Sequence, residues 1–392
     1  MLTKKIMSVA LMSTLAMGIM AGCSGAKDSS GGESNGKVIK IATQSPLSGG
    51  SATLGDAIKL GAQLALEEEK SAFDKLGYKL QLAPYDDQGD SKKGVANAQL
   101  IGSDKSIYGV VGHLNSGVTI PSSETYEKYN IPMISPASTA TDVTDRKLKS
   151  VNRIVARDDF QGPAGAKYAV EELKAKNIFI VQDKTAYGQG LADAFKGAAE
   201  ELGAKIQGYE GITVGEKDFN GVLNQISAAK PDLVYFGGLY AEGGLLIKQA
   251  RDKGIKAKFM GGDGLDSSTL VDIAGEAVKD TYLTSVAGDA SSTKFAKDYK
   301  AKFNKNVESY SIYGYDSMKV MLQGIKNAIE DNNGKLPDRA KVRDAVRAIT
   351  DYKGELTQVG FDDKGDNKFA KIFIYKFDEA KYPAKQEGEI TQ

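Results

Sequence analysis

The stretch "VIKIATQSPLSGGSATLGDAIKLGAQLALEEEK", residues 38–70, decides how the rest of the chain is read. It opens on a β-type run, VIKIAT (38–43). It closes on a helical one, DAIKLGAQLALEEEK (56–70), in which Ile58, Ala62, Ala65 and Leu66 share one side. Between them, residues 44–55 are rich in Ser and Gly and lead into the helix, so their amides can receive an anion. The loop lacks the Gly-Lys-Ser/Thr ending of a phosphate-binding loop, which argues against a nucleoside triphosphate.

The same alternation continues down the chain. Strand-like runs are YKLQLAPY (78–85), IYGVVGHL (107–114), IPMISPA (131–137), NIFIVQ (177–182), LVYFGG (233–238), KFMGG (258–262) and TYLTSV (281–286). A second clear helix, LADAFKGAAEELGA (191–204), sets Leu191, Ala194, Phe195, Ala198 and Leu202 at helical spacing and stops at Gly203. Strand, helix, strand at this spacing predicts an α/β fold with mostly parallel sheets and helices on both faces. In such sheets ligands bind beyond the carboxyl ends of the strands. The residues there are Asn115, Ser116 and Gly117; Ser138, Thr139, Ala140 and Thr141; the run 183–190, which contains Tyr187; and Asp263 with Gly264. Small hydroxyls and one acid gather at one expected mouth. Ser116 suits a helix N-cap, and the same hydroxyl with free amides suits a carboxylate.

Composition narrows the function. Residues 1–22 hold two lysines and no acid, which leaves 49 basic and 51 acidic residues, a net of −2. No basic stripe is present, so nucleic acid is not an expected partner. A single histidine, His113, argues against a zinc site and against a His-dependent triad, and no metal or other cofactor is expected. There is no Gly-x-Ser-x-Gly elbow and no Gly-x-Gly-x-x-Gly turn, so an enzyme is not expected. The only cysteine, Cys23, cannot form an intramolecular disulfide. It follows Lys4-Lys5, an apolar run and Ala21-Gly22, the order of a secretory signal over residues 1–22. Residues 23–37 are Gly- and Ser-rich and read as a flexible linker. About 355 residues remain, enough for two domains.

Two resemblances follow. MAGCSG (20–25) resembles the lipobox of bacterial lipoproteins, with Met20 where Leu is usual; it implies lipidation of Cys23 and anchoring to a membrane. From Val38 to Phe377 the chain resembles the leucine/isoleucine/valine-binding proteins of ABC importers. The stretches that carry this are SPLSG, YDDQGD, VVGHLNSG, IPMISPASTAT, QGPAGAKY, KTAYGQGLA, GITVGEKDF, YFGGLYAEGG and FMGGDG, in that order. The resemblance implies the type I periplasmic-binding-protein fold, two Rossmann-like lobes joined by three crossovers. Lobe 1 would be 38–157 and 287–352, and lobe 2 would be 158–286 and 353–392. It implies an amino-acid ligand, an ABC permease as partner, and a monomer that is exported to the periplasm or to the outer face of the cytoplasmic membrane. Ser116 would bind the ligand carboxylate, and Thr139 both charged groups. The backbone carbonyl of Ala137 and the side chain of Asp263 would take the ammonium, with Ser138 beside them. Tyr187 would close over the head group. Leu54, Leu239 (or Tyr240) and Tyr310 would line the side-chain pocket. Leu54 and Leu239 stand where leucine-type members carry tyrosines. That departure removes hydroxyls and reshapes the apolar wall while the head-group chemistry is kept, so the family's branched aliphatic amino acids are the first expectation, and another apolar or aromatic amino acid, an aromatic acid or an amide the second. A sensor that reports to a receptor would carry the same sequence features.

Plainer roles are expected elsewhere. His113 reads as a structural or half-buried residue, Asp86 and Asp87 as caps of the following helix that also shape its loop, Glu67, Glu68 and Glu69 as a solvated face, and Met133 and Met260 as core. DDKGD (362–366) has a partial likeness to a calcium loop but lacks its ligand pattern, so a turn is expected.

Overall fold

The computed structural model describes residues 37–391. The expected signal segment, Cys23 and nearly all of the expected linker lie outside the described residues. The first lobe is built from β1 (Lys37–Ser45), α1 (Ala52–Lys75), β2 (Tyr78–Asp86), α2 (Ser91–Ser103), β3 (Ile107–Gly112), α3 (Ser116–Lys128), β4 (Met133–Ser135), α4 (Asp142–Asp145) and β5 (Val151–Arg153). Its five strands are parallel, in the order β2-β1-β3-β4-β5. Ile41 of β1 lies opposite Leu82 on one side and Gly109 on the other. A strand covered on both faces favours a near-continuous apolar run, and VIKIAT comes close to one, interrupted by Lys40, which is half-buried and paired with Asp104, and by the buried Thr43.

The second lobe follows: α5 (Asp158–Lys167), β6 (Asn177–Gln182), α6 (Ala186–Glu201), β7 (Lys205–Gly211), α7 (Asn220–Ala229), β8 (Leu233–Gly237), α8 (Tyr240–Asp252), β9 (Lys258–Gly261), α9 (Ser268–Ala274) and β10 (Thr281–Ser285). The chain then returns to the first lobe with α10 (Lys294–Phe303), α11 (Ser311–Asp331) and α12 (Arg339–Arg347). A short hairpin, β11 (Tyr352–Lys353) and β12 (Gln358–Val359), precedes β13 (Lys371–Phe377) and β14 (Lys385–Thr391). These last two strands complete the second sheet, β14-β13-β10-β9-β8-β6-β7, with β13 antiparallel to β10 and β14 antiparallel to β13. The fold is α/β with two lobes and three crossings: between β5 and α5, between β10 and α10, and ahead of β13.

Helix α11 packs along α1, and two glycines set how closely. A Cβ on Gly61 would lie 1.8 Å from the Ser311 carbonyl oxygen, and one on Gly314 would lie 2.3 Å from that of Ile58. This contact changes the reading of the glutamate run. Glu67 pairs with Lys302, Glu68 with Lys319, and Glu69 with Lys319 and Lys326, so these acids face α10 and α11 rather than solvent alone.

Three further expectations are corrected. The last crossing does not fall at 352/353. Glu355 N and Thr357 Oγ1 donate to Asp316 of α11, and Asp366 pairs with Arg153 of β5, so residues 353–367 stay on the first lobe. The cap of α2 is Asp90, which accepts from Lys93 N at 2.8 Å, whereas Asp86 and Asp87 organise the loop before it. The N-cap position of α3 is Asn115, and the Ser116 hydroxyl accepts instead from Ala140 N at 3.2 Å. DDKGD is a turn: Asp362 Oδ1 accepts from the amides of Lys364, Gly365 and Asp366, with Gly365 at φ +99°. Among the described residues no helix is long and apolar enough to cross a membrane.

Candidate functional site

The loops at the carboxyl ends of both sheets converge on a cavity of about 370 Å³ between the lobes, within the range of small-ligand sites. Leu54, Ser116, Ala137, Tyr187, Leu239, Asp263 and Tyr310 all line it. Ser138 and Thr139 do not; both are fully buried just behind it. Tyr240 is also outside: its hydroxyl accepts from Thr53 N at 3.2 Å, a hydrogen bond from the first lobe to the second. A larger groove, about 1220 Å³, lies over α1 and α10. It is an open surface whose Lys305 is paired with Asp56, so its size does not mark it as the site.

The first lobe contributes the amino end of α3, whose leading amides have no partners within the helix. Asn115, Ser116, Gly117 and Val118 line the cavity there. The loop beside it is held from behind. Ser138 Oγ meets Thr119 Oγ1 at 2.6 Å and donates to the carbonyls of His113 and Leu114, and Arg153 donates to the carbonyls of Ser138 and Ala140. Ser138 is thus a brace rather than a lining residue. His113 is fully buried, with Nδ1 3.1 Å from Asp87 and Nε2 3.1 Å from the Tyr126 hydroxyl, so it has a structural place.

The second lobe contributes Asp263, 3% exposed. Its Oδ1 accepts from Gln161 Nε2 at 2.7 Å and from the Tyr187 hydroxyl at 2.9 Å, and its Oδ2 accepts from the Tyr310 hydroxyl. Tyr187 in turn accepts from Gly264 N at 2.8 Å. Burial pushes the Asp263 carboxyl above its ordinary value, and the donors from Tyr310, Gln161 and Tyr187 work against it. Tyr310 therefore serves the acid as well as the wall. Burial also pushes the Asp158 carboxyl well above the ordinary range, and the charge of Asp263 adds to the effect.

Leu54, Leu239 and Val214 give the cavity apolar lining, and Gln88, Lys184 and Glu242 are among its polar lining residues. Sequence reasoning did not find Asp158, Gln161, Lys184 or Glu242. Gln161 lies in QGPAGAKY and Lys184 in the loop after NIFIVQ, but neither residue type announces its contact.

Two lobes around a cavity lined by both a buried acid and a helix amino end define a ligand-binding protein. The profile of the periplasmic binding protein family matches residues 38–381, and the chain belongs to that family. Membership makes it a binding protein of the ABC-importer class, working outside the cytoplasm, and not an enzyme. The chain is 36% identical over 336 residues to the Leu/Ile/Val-binding protein homolog 1 of Brucella abortus, covering 85% of this chain and 88% of the relative. It is 34% identical over 342 residues to a leucine-, isoleucine-, valine-, threonine- and alanine-binding protein of Pseudomonas aeruginosa, covering 86% and 90%. The crystal structure of a leucine-binding protein, LivK, from Thermotoga maritima superimposes with a TM-score of 0.81 at 28% identity, covering 90% of this chain and 98% of that one.

Proposed function

We propose that this chain captures a free α-amino acid, branched aliphatic ones first, and delivers it to an ABC permease. The observation that carries the reading is a buried acid, Asp263, in the same cavity as the amino end of α3, with Leu54 and Leu239 on the wall. A zwitterion needs one partner of each sign once water is gone. Ser116 and the first amides of α3 suit the carboxylate. The Ala137 carbonyl, Thr139 and Asp263 suit the ammonium, and Tyr187 covers the head group. The two leucines favour an aliphatic side chain. Charge-assisted hydrogen bonds contribute about 1.5–3 kcal/mol each, and micromolar binding needs about 8 kcal/mol, so the head group and a buried side chain together suffice.

The names of the Brucella and Pseudomonas relatives support the same ligand class. Hinge motion between lobe 1 and lobe 2 gives entry and release, and the protein acts as a monomer. Lipid on Cys23 tethers it to the membrane on the leash of residues 23–37. A thermal-shift screen of the common amino acids, with small amides and aromatic acids added, tests the reading. Leucine, isoleucine or valine raises the Tm, because ligand binds only the folded form. No shift with any amino acid overturns it. Cys23→Ser abolishes membrane retention of the processed protein, and unaltered retention removes the tether.

A further inference from the structure

Behind Asp263 lies a set of buried, unsatisfied polar atoms of which only that of Thr139 has a role in the reading above. Asp158 opens α5 and is 2% exposed; neither carboxylate oxygen has a hydrogen-bond partner within 3.5 Å, although the Thr139 hydroxyl lies close enough to favour the ionised form. It does not cap its helix. Thr139 Oγ1 and Gln161 Oε1 are also buried without partners. Backbone and side-chain bonds hold the group together: Asp158 N donates to the Thr139 carbonyl at 3.0 Å, and Gln161, one turn along α5, donates to Asp263 at 2.7 Å. A side groove of about 610 Å³ reaches Asp158 and shares residues 184–186 with the main cavity.

Buried acceptors that lack donors call for a cation or a proton. The charges that act on Asp158 are Asp263 first, then Arg153 and Asp159; the side groove adds Lys184, Asp142 and Asp193, and the buried hydroxyls of Tyr187, Tyr310 and Tyr235, the last without a partner, lie within its electrostatic reach. Arg153 is committed to Asp366, Thr144 and two carbonyls, so it leaves Asp158 unpaired. Two adjacent buried carboxyls cannot both stay ionised without a counter-charge. The contrast with Asp263 is informative, since that acid already accepts from three neutral donors. An ammonium offers three N–H donors and no acceptor, which matches what the Asp158 cluster lacks.

We propose that Asp158, with the Thr139 hydroxyl, directly accepts the ammonium of the bound amino acid, and that the arriving ammonium releases to solvent a proton held by the Asp158–Asp263 pair. This rests on the reading of the cavity as an amino-acid site. Binding then weakens as pH falls, because the proton competes with the ammonium for the same oxygens. Asp263 supplies charge, and Asp158 supplies the open hydrogen-bonding positions.

The test is calorimetry of L-leucine binding to the full-length protein, at neutral pH, in two buffers of different ionisation enthalpy. Wild type releases about one proton per ligand. Asp158→Asn binds about tenfold to a hundredfold more weakly, releases none, and discriminates less between leucine and α-hydroxyisocaproate, which lacks the ammonium. Tight binding by wild type with no proton exchanged overturns the proposal and leaves the amino-acid reading standing. So does an Asp158→Asn variant that keeps both the affinity and the proton release, the result expected if only a buried water sits there. Failure of wild type to bind any amino acid overturns both. The wild-type buffer dependence decides the matter even if the variant does not fold.

Discussion

Two groups of buried acids flank the loop that carries Ser138 and Thr139, and they are in opposite electrostatic states. On the hinge side, Asp366 meets Arg153 at 2.5 Å and Arg157 at 3.0 Å. Burial alone would raise the Asp366 carboxyl, but the two guanidiniums overcome it and hold it below the ordinary value. On the cleft side, Asp158 and Asp263 have no cation, and burial drives both up. Asp266 nearby goes the same way, pushed up to about 7 by burial and by the charges of Glu308 and Asp263 against a hydrogen bond from Ser285. The hinge cluster is complete within the chain. The cleft cluster is complete only with something positive added, which is the property expected of a binding site.

Arg153→Ala breaks the complete cluster and has the largest expected effect. It leaves Asp366 with Arg157 as its only cation and frees the carbonyls of Ser138 and Ala140, with a loss of about 3–5 kcal/mol in chemical unfolding. A loss no larger than that of a surface substitution makes the hinge pair dispensable and ends the comparison. Asp263→Ala acts on the other side: it weakens amino-acid binding by on the order of 2–5 kcal/mol by calorimetry, while the ligand-free protein keeps its fold. Unchanged affinity removes Asp263 from the site.

A pH series on the ligand-free protein sharpens the contrast. Asp266 (about 7) and Asp316 (about 6) hold their protons more tightly folded than unfolded, where the value is near 3.8. Their stabilising contribution is whole below about pH 4 and is lost as pH rises through 6 to 7. Asp104 and Asp145, each held at about 2, contribute in the other direction, and that stability is lost as pH falls from about 4 towards 2. The Tm of the free protein therefore falls on both sides of mildly acidic pH. A Tm that climbs steadily to neutral pH contradicts the raised acids. The smallest effect is expected at the apolar wall. Leu54→Tyr or Leu239→Tyr shifts the preference among apolar amino acids by about 1–3 kcal/mol and leaves head-group recognition intact. Equal weakening of every amino acid places the leucine nearer the head group.

The elements missed in the sequence have a common cause. β5 is three residues, VNR; β7 is KIQGYEG, half-buried at a sheet edge; β14 is KQEGEIT, polar and alternating into solvent. All three carry little of the apolar signal that marks NIFIVQ or LVYFG: β7 and β14 because edge strands bury little, and β5 because it is short and, though buried, two of its three residues are polar. The glutamates of α1 show the same limit, because a charged run gives no sign that a second helix with lysines at matching heights will pack on it.

Local composition determined the alternation of strand and helix, the loops at the carboxyl ends of the strands, and, through whole-chain resemblance, seven residues that line one cavity. Those features follow from burial periodicity and turn chemistry, which are written within a few residues of each other. Only the tertiary structure decided that Ser138 is a brace, that Tyr310 bonds an acid, and that Asp158 is buried without a partner while Asp366, far along the chain, takes the neighbouring arginine. Whether a carboxylate is satisfied depends on which distant groups the fold brings against it and which it withholds, and no stretch of sequence holds both sides of that comparison.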